Sequence, residues 1–439
     1  MPKLAGGFLA ASFLVVTGAR GQLNYATPYD FLTIAGVYGS AGSTDGTNSG
    51  ALFYNPYGVA VDANSNVYVV DNYEDTVRKM TPVGTNWVVT TIAGTPADVS
   101  GNPGGFNDGT NGSIDFDLPT GIAVDAGGNL YVTDSNNNTL RKLTRTGTNW
   151  VSSTIAGNFY YPCGVAVDAK TNIYVADTWN QVICRVSPAG ANWVTTTIAG
   201  TLGDADFQDG TNGTALFNYP ASLAVDGSGN VFVADSGNFA IRKMTPVGTN
   251  WVVTTIAGDG TPGATDGTNE VAEFDSPVQQ YAMGIAVDAY DNLYVADGNN
   301  AVIRKVSPVG TNWVTTTLAG ALGAYNAADG AGTNAVFGAP AGIAVNAAGR
   351  LFVSDFGDNN MRAGALAPAP ALALSLITSS KVAGVMVAWP TSGGFTMQTN
   401  TDLRNGTWGN YSGPVNTTNA VSSLSVLPTA GNVFFRLVN

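Results

Sequence analysis

The sequence predicts an all-β protein: a six-bladed β-propeller with four-stranded blades, followed by a small β-sandwich-like domain. Three observations predict it. A block of 37 residues recurs without internal insertion or deletion, each block contains four short strand patterns, and a closing segment without its own block precedes the first copy. The five complete copies and the shorter sixth run over residues 58–94, 121–157, 164–200, 222–258, 284–320 and 342–362.

The N-terminal residues resemble a secretory signal. Lys3 is followed by an apolar run and then by Ala19-Arg20-Gly21, which places small residues where signal peptidase cleaves. We therefore expect residues 1–21 to be a signal peptide, and the protein to be exported to the periplasm, the cell surface or the medium. No second apolar stretch is long enough to span a membrane.

Charge is scarce and mostly negative. Charged residues make up 11% of the chain, and loss of Lys3 and Arg20 with the signal leaves 31 acidic against 16 basic residues, a net charge of −15. Phosphate-rich partners require Lys and Arg, so this balance disfavours nucleic acid and anionic membranes. A protein or glycan partner is consistent with this charge balance.

Each block opens with an apolar strand that ends on an Asp, or on Asn346 in the sixth block, and a second Asp follows nine residues later. The strand between them is short and rich in β-branched and aromatic residues. Arg follows at +7 from the second Asp, and Trp at +16 begins the last strand. Phe31–Gly36 repeats the end of a block and has no block of its own, so we expect it to complete the sixth blade within a propeller of residues 22–364.

These residues resemble the NHL repeat. Gly-Ile-Ala-Val-Asp, Asn-Leu-Tyr-Val-Ala-Asp and Ile-Arg-Lys, as they stand in residues 284–305, carry the resemblance, and it extends over about residues 31–366. The resemblance implies a six-bladed propeller whose last blade takes its outer strand from the N-terminus. Some members that the resemblance brings in are peptidylglycine lyases, which use histidine to bind metal. The chain contains no histidine, which excludes that chemistry and every His-based catalytic arrangement.

The first Asp of each block is interpreted as an Asx turn and the second as the ion-pair partner of the +7 Arg, because buried carboxylates need partners. The repeated Trp is interpreted as packing between blades. The inner strands read Val-Ala-Val or Ile-Ala-Val, so the channel wall offers no oxygen cage for a cation. Cys163 and Cys184 should be separated by a strand and are predicted to be buried or free thiols.

Loops of 21 to 26 residues precede five of the blocks, whereas the loop before residue 164 has six. The long loops share Asp-Gly, Phe at +8 and Pro at +11. We predict that this loop face binds the ligand, through Asp45, Phe53, Asp108, Phe116, Asp209, Phe217, Asp266, Phe274, Asp329 and Phe337. A structural calcium ion is a weaker alternative, for which the candidate ligands are Asp45, Asn48, Asp108, Asn111, Asp209, Asn212, Asp266 and Asn269. No other cofactor is expected.

A Pro/Ala linker is predicted at residues 365–374 and a small β module at 375–439. The module resembles a C-terminal module of exported proteins from verrucomicrobia-like bacteria, on the residues Val-Ala-Trp-Pro at 387–390, Met-Gln-Thr-Asn at 397–400 and Phe-Phe-Arg-Leu at 434–437. The resemblance implies sorting or attachment.

The absent histidine and the apolar channel favour a non-enzymatic binding or scaffold propeller that recognises a macromolecule or glycan through its acidic loop face. The alternatives are a calcium-dependent lactonase- or esterase-like hydrolase of the six-bladed type and a structural component of the cell envelope.

Overall fold

In the computed structural model, residues 29–96, 104–276, 283–324 and 327–366 are described in full, and the strands of the C-terminal part are described by their backbone. The chain divides into two compact units. One is Pro28–Leu366, and the second contains the C-terminal strands. The predicted signal peptide lies outside the described residues. None of the helices in the described residues has the length and hydropathy that crossing a bilayer requires.

The first unit consists of six antiparallel sheets in chain order, each one a blade. Strand β1 (Tyr29–Gly36) precedes them. Blade 1 contains β2 (Gly46–Thr47), β3 (Pro56–Val61), β4 (Val67–Asp71), β5 (Thr76–Val83) and β6 (Asn86–Ala93). Blade 2 contains β7 (Pro119–Val124), β8 (Leu130–Asp134), β9 (Thr139–Thr146) and β10 (Asn149–Ala156). Blade 3 contains β11 (Val165–Val167), β12 (Ile173–Asp177), β13 (Val182–Ala189) and β14 (Asn192–Ala199).

The remaining three blades follow the same plan. Blade 4 contains β15 (Gly210–Thr211), β16 (Pro220–Val225), β17 (Val231–Asp235), β18 (Ala240–Val247) and β19 (Asn250–Ala257). Blade 5 contains β20 (Gly267–Thr268), β21 (Ile285–Val287), β22 (Leu293–Asp297), β23 (Val302–Val309) and β24 (Asn312–Gly320). Blade 6 contains β25 (Gly330–Ala331), β26 (Pro340–Val345), β27 (Leu351–Asp355) and β28 (Asn360–Leu366).

Short 3-10 helices occur in the loops, and their bounds are Asn48–Gly50, Asn72–Glu74, Asn111–Ser113, Thr178–Asn180, Asn212–Thr214, Ser236–Asn238, Asn269–Val271, Gly332–Asn334 and Phe356–Asp358.

The N-terminal strand closes the ring, as predicted. β1 lies between β28 and β25, and its register with β28 runs from Tyr29 opposite Leu366 to Gly36 opposite Asn360. The last blade therefore joins the first and last segments of the repeat region. β28 also continues two residues beyond the predicted propeller boundary at 364.

Each blade has the four predicted strands, and blades 1, 4, 5 and 6 have a short fifth strand in addition. In each of them the Asp-Gly loop turns back and adds a two-residue strand along the outermost strand, as Gly46 and Thr47 do opposite Val89 and Val88. Blade 2 has a single bridge there, from Thr110 to Val151. Outer strands otherwise leave unpaired N–H and C=O groups, which these short strands partly satisfy.

The core lies between adjacent blades. One hydrophobic cluster combines Tyr68 and Val70 of blade 1 with Ile122, Leu130 and Trp150 of blade 2. The repeated tryptophans pack across these joints, which confirms their predicted role. The ring pairs are Trp87–Phe352, Trp150–Tyr68, Trp193–Tyr131, Trp251–Tyr174 and Trp313–Phe232, with centroids 5.6 to 6.4 Å apart.

The C-terminal strands are β29 (Ala373–Thr378), β30 (Ala383–Pro390), β31 (Thr396–Asn400), β32 (Gly409–Asn410), β33 (Asn416–Thr418), β34 (Val421–Val426) and β35 (Phe434–Val438). They form two antiparallel sheets, ordered β29-β30-β34-β33 and β32-β31-β35. The module is thus all-β. Its sandwich arrangement and its sorting role stay predictions.

Candidate functional site

The turns of each blade alternate between two faces because neighbouring strands are antiparallel. Loops that enter the inner strand and loops that join the second and third strands lie on one face, which we call the long-loop face. The turns after the first and third strands lie on the opposite face.

Around the central channel, adjacent blades approach closely at the repeat glycines. A Cβ atom added to Gly58, Gly121, Gly284 or Gly342 would overlap a carbonyl oxygen of the neighbouring inner strand. The cavity that remains is about 60 Å³, and its lining residues include Val59, Ile122, Val165, Leu223, Ile285 and Ile343 but no carboxylate. This cavity is lined by the apolar side chains of the inner strands together with Thr120, Ser222 and the repeat glycines, and it has no oxygen cage of the kind that a cation requires.

Buried Asp–Arg pairs connect the second and third strands of five blades, which confirms the predicted pairing. Asp71 accepts from Arg78 at 2.9 Å, and both side chains are fully buried. The equivalent distances are 2.7 Å for Asp134–Arg141, 2.7 Å for Asp235–Arg242, 3.0 Å for Asp297–Arg304 and 3.6 Å for Asp355–Arg362. These pairs lie inside the blades, where a ligand cannot reach them.

The same arginines hold the long loops, which explains the Asp-Gly loop pattern. Arg78 donates to Asp45 at 2.8 Å and to the carbonyl oxygens of Leu52 and Thr44. The other loop aspartates pair likewise, as Asp108–Arg141, Asp209–Arg242, Asp266–Arg304 and Asp329–Arg362 at 2.8 to 3.1 Å. A buried guanidinium needs such acceptors. The loop aspartates thus attach the loops to the blades.

The prediction that the loop phenylalanines contact a ligand is wrong. Each ring lies against a buried guanidinium, as Phe53 does with its centroid 5.1 Å from the Arg78 carbon. All five rings are 0–1% exposed: Phe53, Phe116, Phe217, Phe274 and Phe337. A ring that covers a buried cation gains both burial and cation–π attraction, so it belongs to the interior of the loop.

The calcium candidates of one loop do not converge on one point, and a structural calcium ion stays an untested alternative. Asp45 accepts from the Thr91 N–H at 2.8 Å, and Asn48 accepts from the Trp87 N–H at 2.7 Å. Thr91 and Trp87 are four residues apart in β6, about 13 Å along a strand. The same separation applies to the sets Asp108/Asn111, Asp209/Asn212 and Asp266/Asn269, whose asparagines accept from Trp150, Trp251 and Trp313. These oxygens bind backbone N–H groups, and the described residues contain no group of three acids that could hold a metal.

The first Asp of the first five blocks, and Asn346 in the sixth, form the predicted Asx turn on the opposite face. Asp62 accepts from the N–H groups of Asn64 and Asn66 at 2.9 and 2.8 Å, and from the Tyr68 hydroxyl at 3.2 Å. Local donors therefore occupy this carboxylate, which serves the turn.

Blade 3 departs from the framework. Cys184 stands where the other blades have the buried Arg, and the preceding loop has six residues. Both cysteines are free and buried, as predicted, and burial raises the pKa of Cys163 to about 12 and of Cys184 to about 11. Without an arginine there is no guanidinium for a long loop to cover.

One position on the long-loop face varies from blade to blade, and the sequence analysis missed it. Two residues before a Pro that recurs in the sequence ahead of each block, a backbone N–H donates to the second Asp in all six blades, at 2.7 to 3.0 Å. The side chain there pairs with the residue two positions after that Asp. When the six blocks and their preceding loops are aligned, these two positions vary, and this variation is the sequence signal that could have identified the pairs.

The pairs differ in chemistry. Blades 1 and 3 carry the aromatic pairs Tyr54–Tyr73 and Tyr160–Trp179, with centroids 5.1 and 5.0 Å apart. Blades 2 and 5 carry Asp117–Asn136 and Asp275–Asn299, hydrogen bonded at 2.9 and 3.0 Å. Blades 4 and 6 have Asn218–Gly237 and Gly338–Gly357. Since the backbone bond is the same in all blades, the fold does not dictate these side chains.

The two faces also differ in charge. Within the described residues of the propeller, the basic side chains that reach the long-loop face are the five buried, paired arginines. The other basic residues lie on the third strands, as Lys79 does beside Tyr68, or at turns of the opposite face, as Lys170 and Arg350 do. The long-loop face is therefore acidic.

Comparison with known proteins agrees with this architecture. The profile of the NHL repeat matches residues 116–143 and 217–244. A region of 98 residues, 22% of the chain, is 35% identical to Protein SUPPRESSOR OF QUENCHING 1, chloroplastic, from Arabidopsis thaliana, and it spans 9% of that protein's length.

Two solved structures share the fold. A structural genomics protein of unknown function from Bacteroides thetaiotaomicron has a TM-score of 0.59 at 20% identity, covering 77% of this chain and 76% of its own. An auxiliary nutrient binding protein from Bacteroides ovatus has a TM-score of 0.58 at 17% identity, with the same coverage.

The fold defines a six-bladed β-propeller whose variable surface is a loop face. More particularly, the NHL repeat profile matches parts of two of its blades, residues 116–143 of blade 2 and residues 217–244 of blade 4.

Proposed function

We propose that this protein is an exported, non-enzymatic propeller that binds a macromolecule, either a protein or a glycan, through its long-loop face. One observation carries the proposal: the repeat aspartates, arginines and tryptophans are engaged within the framework, whereas the paired side chains of the long-loop face vary and include exposed aromatics. Side chains that the fold does not require are candidates for recognition.

The alternative is a calcium-dependent lactonase- or esterase-like hydrolase. A hydrolase of this kind needs oxygen ligands for its metal and space for its substrate. The channel has a cavity of about 60 Å³ without a lining carboxylate, and the loop oxygens bind backbone N–H groups. Both observations favour the binding protein over the hydrolase.

A binding role is also in keeping with the name of the Bacteroides ovatus relative, an auxiliary nutrient binding protein. That likeness extends to the fold, so the support is by analogy. Export rests on the signal-like residues 1–21, and the C-terminal module is proposed to locate the protein at the cell surface or in its surroundings.

The experiment is a face-blocking assay. Asn136→Cys and Asn299→Cys place a thiol on the long-loop face, and Ala63→Cys places one on the opposite face; all three positions are exposed. The native thiols are buried with raised pKa values, so a bulky polyethylene glycol maleimide reacts with the introduced thiol.

Each conjugate is tested against immobilised polysaccharides and basic proteins, and for lactone and ester hydrolysis with Ca²⁺ or EDTA. We expect binding that is lost in the Asn136 and Asn299 conjugates and retained in the Ala63 conjugate, without hydrolysis. Binding that is blocked only at Ala63, or hydrolysis that EDTA abolishes, would contradict the proposal.

A further inference from the structure

We propose that the long-loop face binds a neutral polysaccharide across blades 1 to 3, on a surface formed by Tyr54, Tyr73, Asp117, Asn136, Tyr160 and Trp179. We call these six residues the aromatic arc. The inference rests on the proposed function, because it names the partner class and the part of the long-loop face that binds it.

The aromatic pairs of the arc are partly exposed to solvent, and the fold does not require aromatic side chains at these positions. Tyr54, Tyr73, Tyr160 and Trp179 are 39–50% exposed. Equivalent positions in blades 4 and 6 carry Asn or Gly with the same backbone hydrogen bond, so a ring is not needed there for folding. Tyrosine and tryptophan combine an apolar face with a polar edge, which suits a partner with both apolar C–H surfaces and hydroxyl groups.

The rings are held in fixed orientation. Tyr54 and Tyr73 meet edge to face at an interplanar angle of 84°, and Tyr160 and Trp179 meet at 70°. The Tyr161 ring also lies beside the Trp179 ring, with 5.3 Å between the ring centroids. Rigid aromatic side chains lose little conformational entropy when a ligand binds.

The three pairs of the arc occupy consecutive, bonded blades. The Leu118 N–H, next to Asp117, donates to Asp75 of blade 1 at 2.8 Å. The Tyr161 N–H, next to Tyr160, donates to Asn138 of blade 2 at 2.8 Å. Side-chain acceptors at the end of one loop thus fix the start of the next blade, and the arc is continuous.

A polar pair separates the two aromatic pairs. The Asn136 amide donates to the Asp117 carboxylate at 2.9 Å, and Asn136 is exposed. A carboxylate beside a carboxamide presents acceptors and a donor together, which are the groups that sugar hydroxyls bind. Aromatic, polar and aromatic side chains in this order offer a sugar polymer both stacking surfaces and hydrogen-bonding groups.

The long-loop face has its shortest loop at blade 3. The loop before this blade has six residues, whereas the loops before the other five blades have 21 to 26. A long loop is therefore missing next to Tyr160 and Trp179. An extended polymer can leave the face there, which favours a polysaccharide chain over a free monosaccharide.

The charge of the face selects among polymers. Its carboxylates, among them Asp115 and Asp117, and the absence of an unpaired basic side chain among its described residues disfavour anionic glycans. A cationic peptide is the competing partner, since it can pair with the acids and stack on the rings. The direct bond between Asp117 and Asn136 partly satisfies the carboxylate, which favours a neutral ligand.

The test uses the mature full chain in affinity electrophoresis through soluble mixed-linkage β-glucan, xylan, mannan and dextran. Polygalacturonate and polylysine serve as charged probes. Trp179→Ala and Tyr73→Ala remove one ring from each aromatic pair. Tyr290→Ala is the matched control, because Tyr290 is an exposed aromatic residue at a first turn on the opposite face.

We expect retardation by at least one neutral polysaccharide, weakened about tenfold or more in Trp179→Ala and Tyr73→Ala and unchanged in Tyr290→Ala. Binding should change little between low and high salt, since it involves no ion pairs. Circular dichroism and the melting temperature serve to check that all three variants fold.

The inference would be overturned if the protein bound none of the neutral polysaccharides. It would also be overturned if Trp179→Ala bound them as tightly as the unchanged protein does. Salt-sensitive binding of polylysine alone would also overturn it. In that case blockage by the Asn136 and Asn299 conjugates would leave the proposed function standing, whereas blockage by the Ala63 conjugate would remove both.

Discussion

Asp358 lies beside Asp355 in blade 6, where four other blades place an asparagine that donates to the equivalent aspartate. Asn137, Asn180, Asn238 and Asn300 donate to Asp134, Asp177, Asp235 and Asp297 at 2.8 to 3.0 Å. In blade 6 two carboxyl groups meet instead, and the Asp355–Arg362 distance is the longest of the five buried pairs, 3.6 Å. Asp358 is almost fully buried, and its Oδ2 has no hydrogen-bond partner.

Asp358→Asn should therefore stabilise the protein. The amide restores the donor that the other blades use and removes a buried acid from the vicinity of Asp355. We expect the free energy of unfolding at pH 8 to rise by about 1–3 kcal/mol, measured by urea denaturation. Asn300→Asp is the reciprocal control in blade 5 and should destabilise by a similar amount. A lower stability of Asp358→Asn would contradict this assignment.

Stability should fall as the pH rises from about 4 to about 8. Burial, and next the charge of Asp355, raise the pKa of Asp358 to about 8, above the value of about 3.9 in an unfolded chain. Between these values the folded state binds more protons than the unfolded state, so the free energy of unfolding decreases with pH. The contribution is present in full below about pH 4 and lost above pH 8. Urea midpoints over this range should decline less steeply in Asp358→Asn; parallel profiles would argue against the effect.

Phe217→Ala should destabilise the fold and leave ligand contacts intact. The ring is fully buried against Arg242, 5.3 Å from the guanidinium carbon. Its removal should cost about 3–5 kcal/mol, seen as a lower denaturation midpoint. Phe207→Ala is the matched control, because Phe207 contacts the same guanidinium from an exposed position, and it should cost clearly less. Equal losses would mean that burial does not explain the role of Phe217.

Calcium and EDTA should leave the melting temperature unchanged. The loop oxygens that a cation requires accept from backbone N–H groups, as Asp209 does from Thr255 and Asn212 from Trp251. A cation that bound the folded state would raise the melting temperature by mass action. Differential scanning fluorimetry with Ca²⁺ and with EDTA gives the comparison, and a shift of several degrees that Asp209→Asn removes would contradict the expectation.

Cys163 and Cys184 should not react with thiol reagents in the folded protein. Burial raises both pKa values, to about 12 and about 11, so the thiolate is scarce at neutral pH and is also inaccessible. Titration with a chromogenic disulfide should detect two thiols in denaturant and none without it. Fast labelling of the native protein would show that blade 3 opens.

The sequence determined the architecture because the repeat supplies the same local instructions six times. Strand patterns, Asx turns and the offset of Phe31–Gly36 are local or periodic features, and they led to the correct blades and to ring closure. The pairing of each buried Arg with the second Asp could be predicted for the same reason, since a register repeated five times implies a structural partner.

Tertiary structure decided which of the remaining residues reach the solvent. A phenylalanine in a polar loop has no periodic partner in sequence, so Phe53 was predicted at the surface, whereas the chain folds the loop over Arg78 and buries the ring. The reverse holds for Tyr73 and Trp179, which lie in the repeat but project from its loop face. Burial depends on what the chain brings from far away, here a loop that covers a guanidinium. The loop face and its aromatic arc therefore follow from the assembled blades and not from any single repeat.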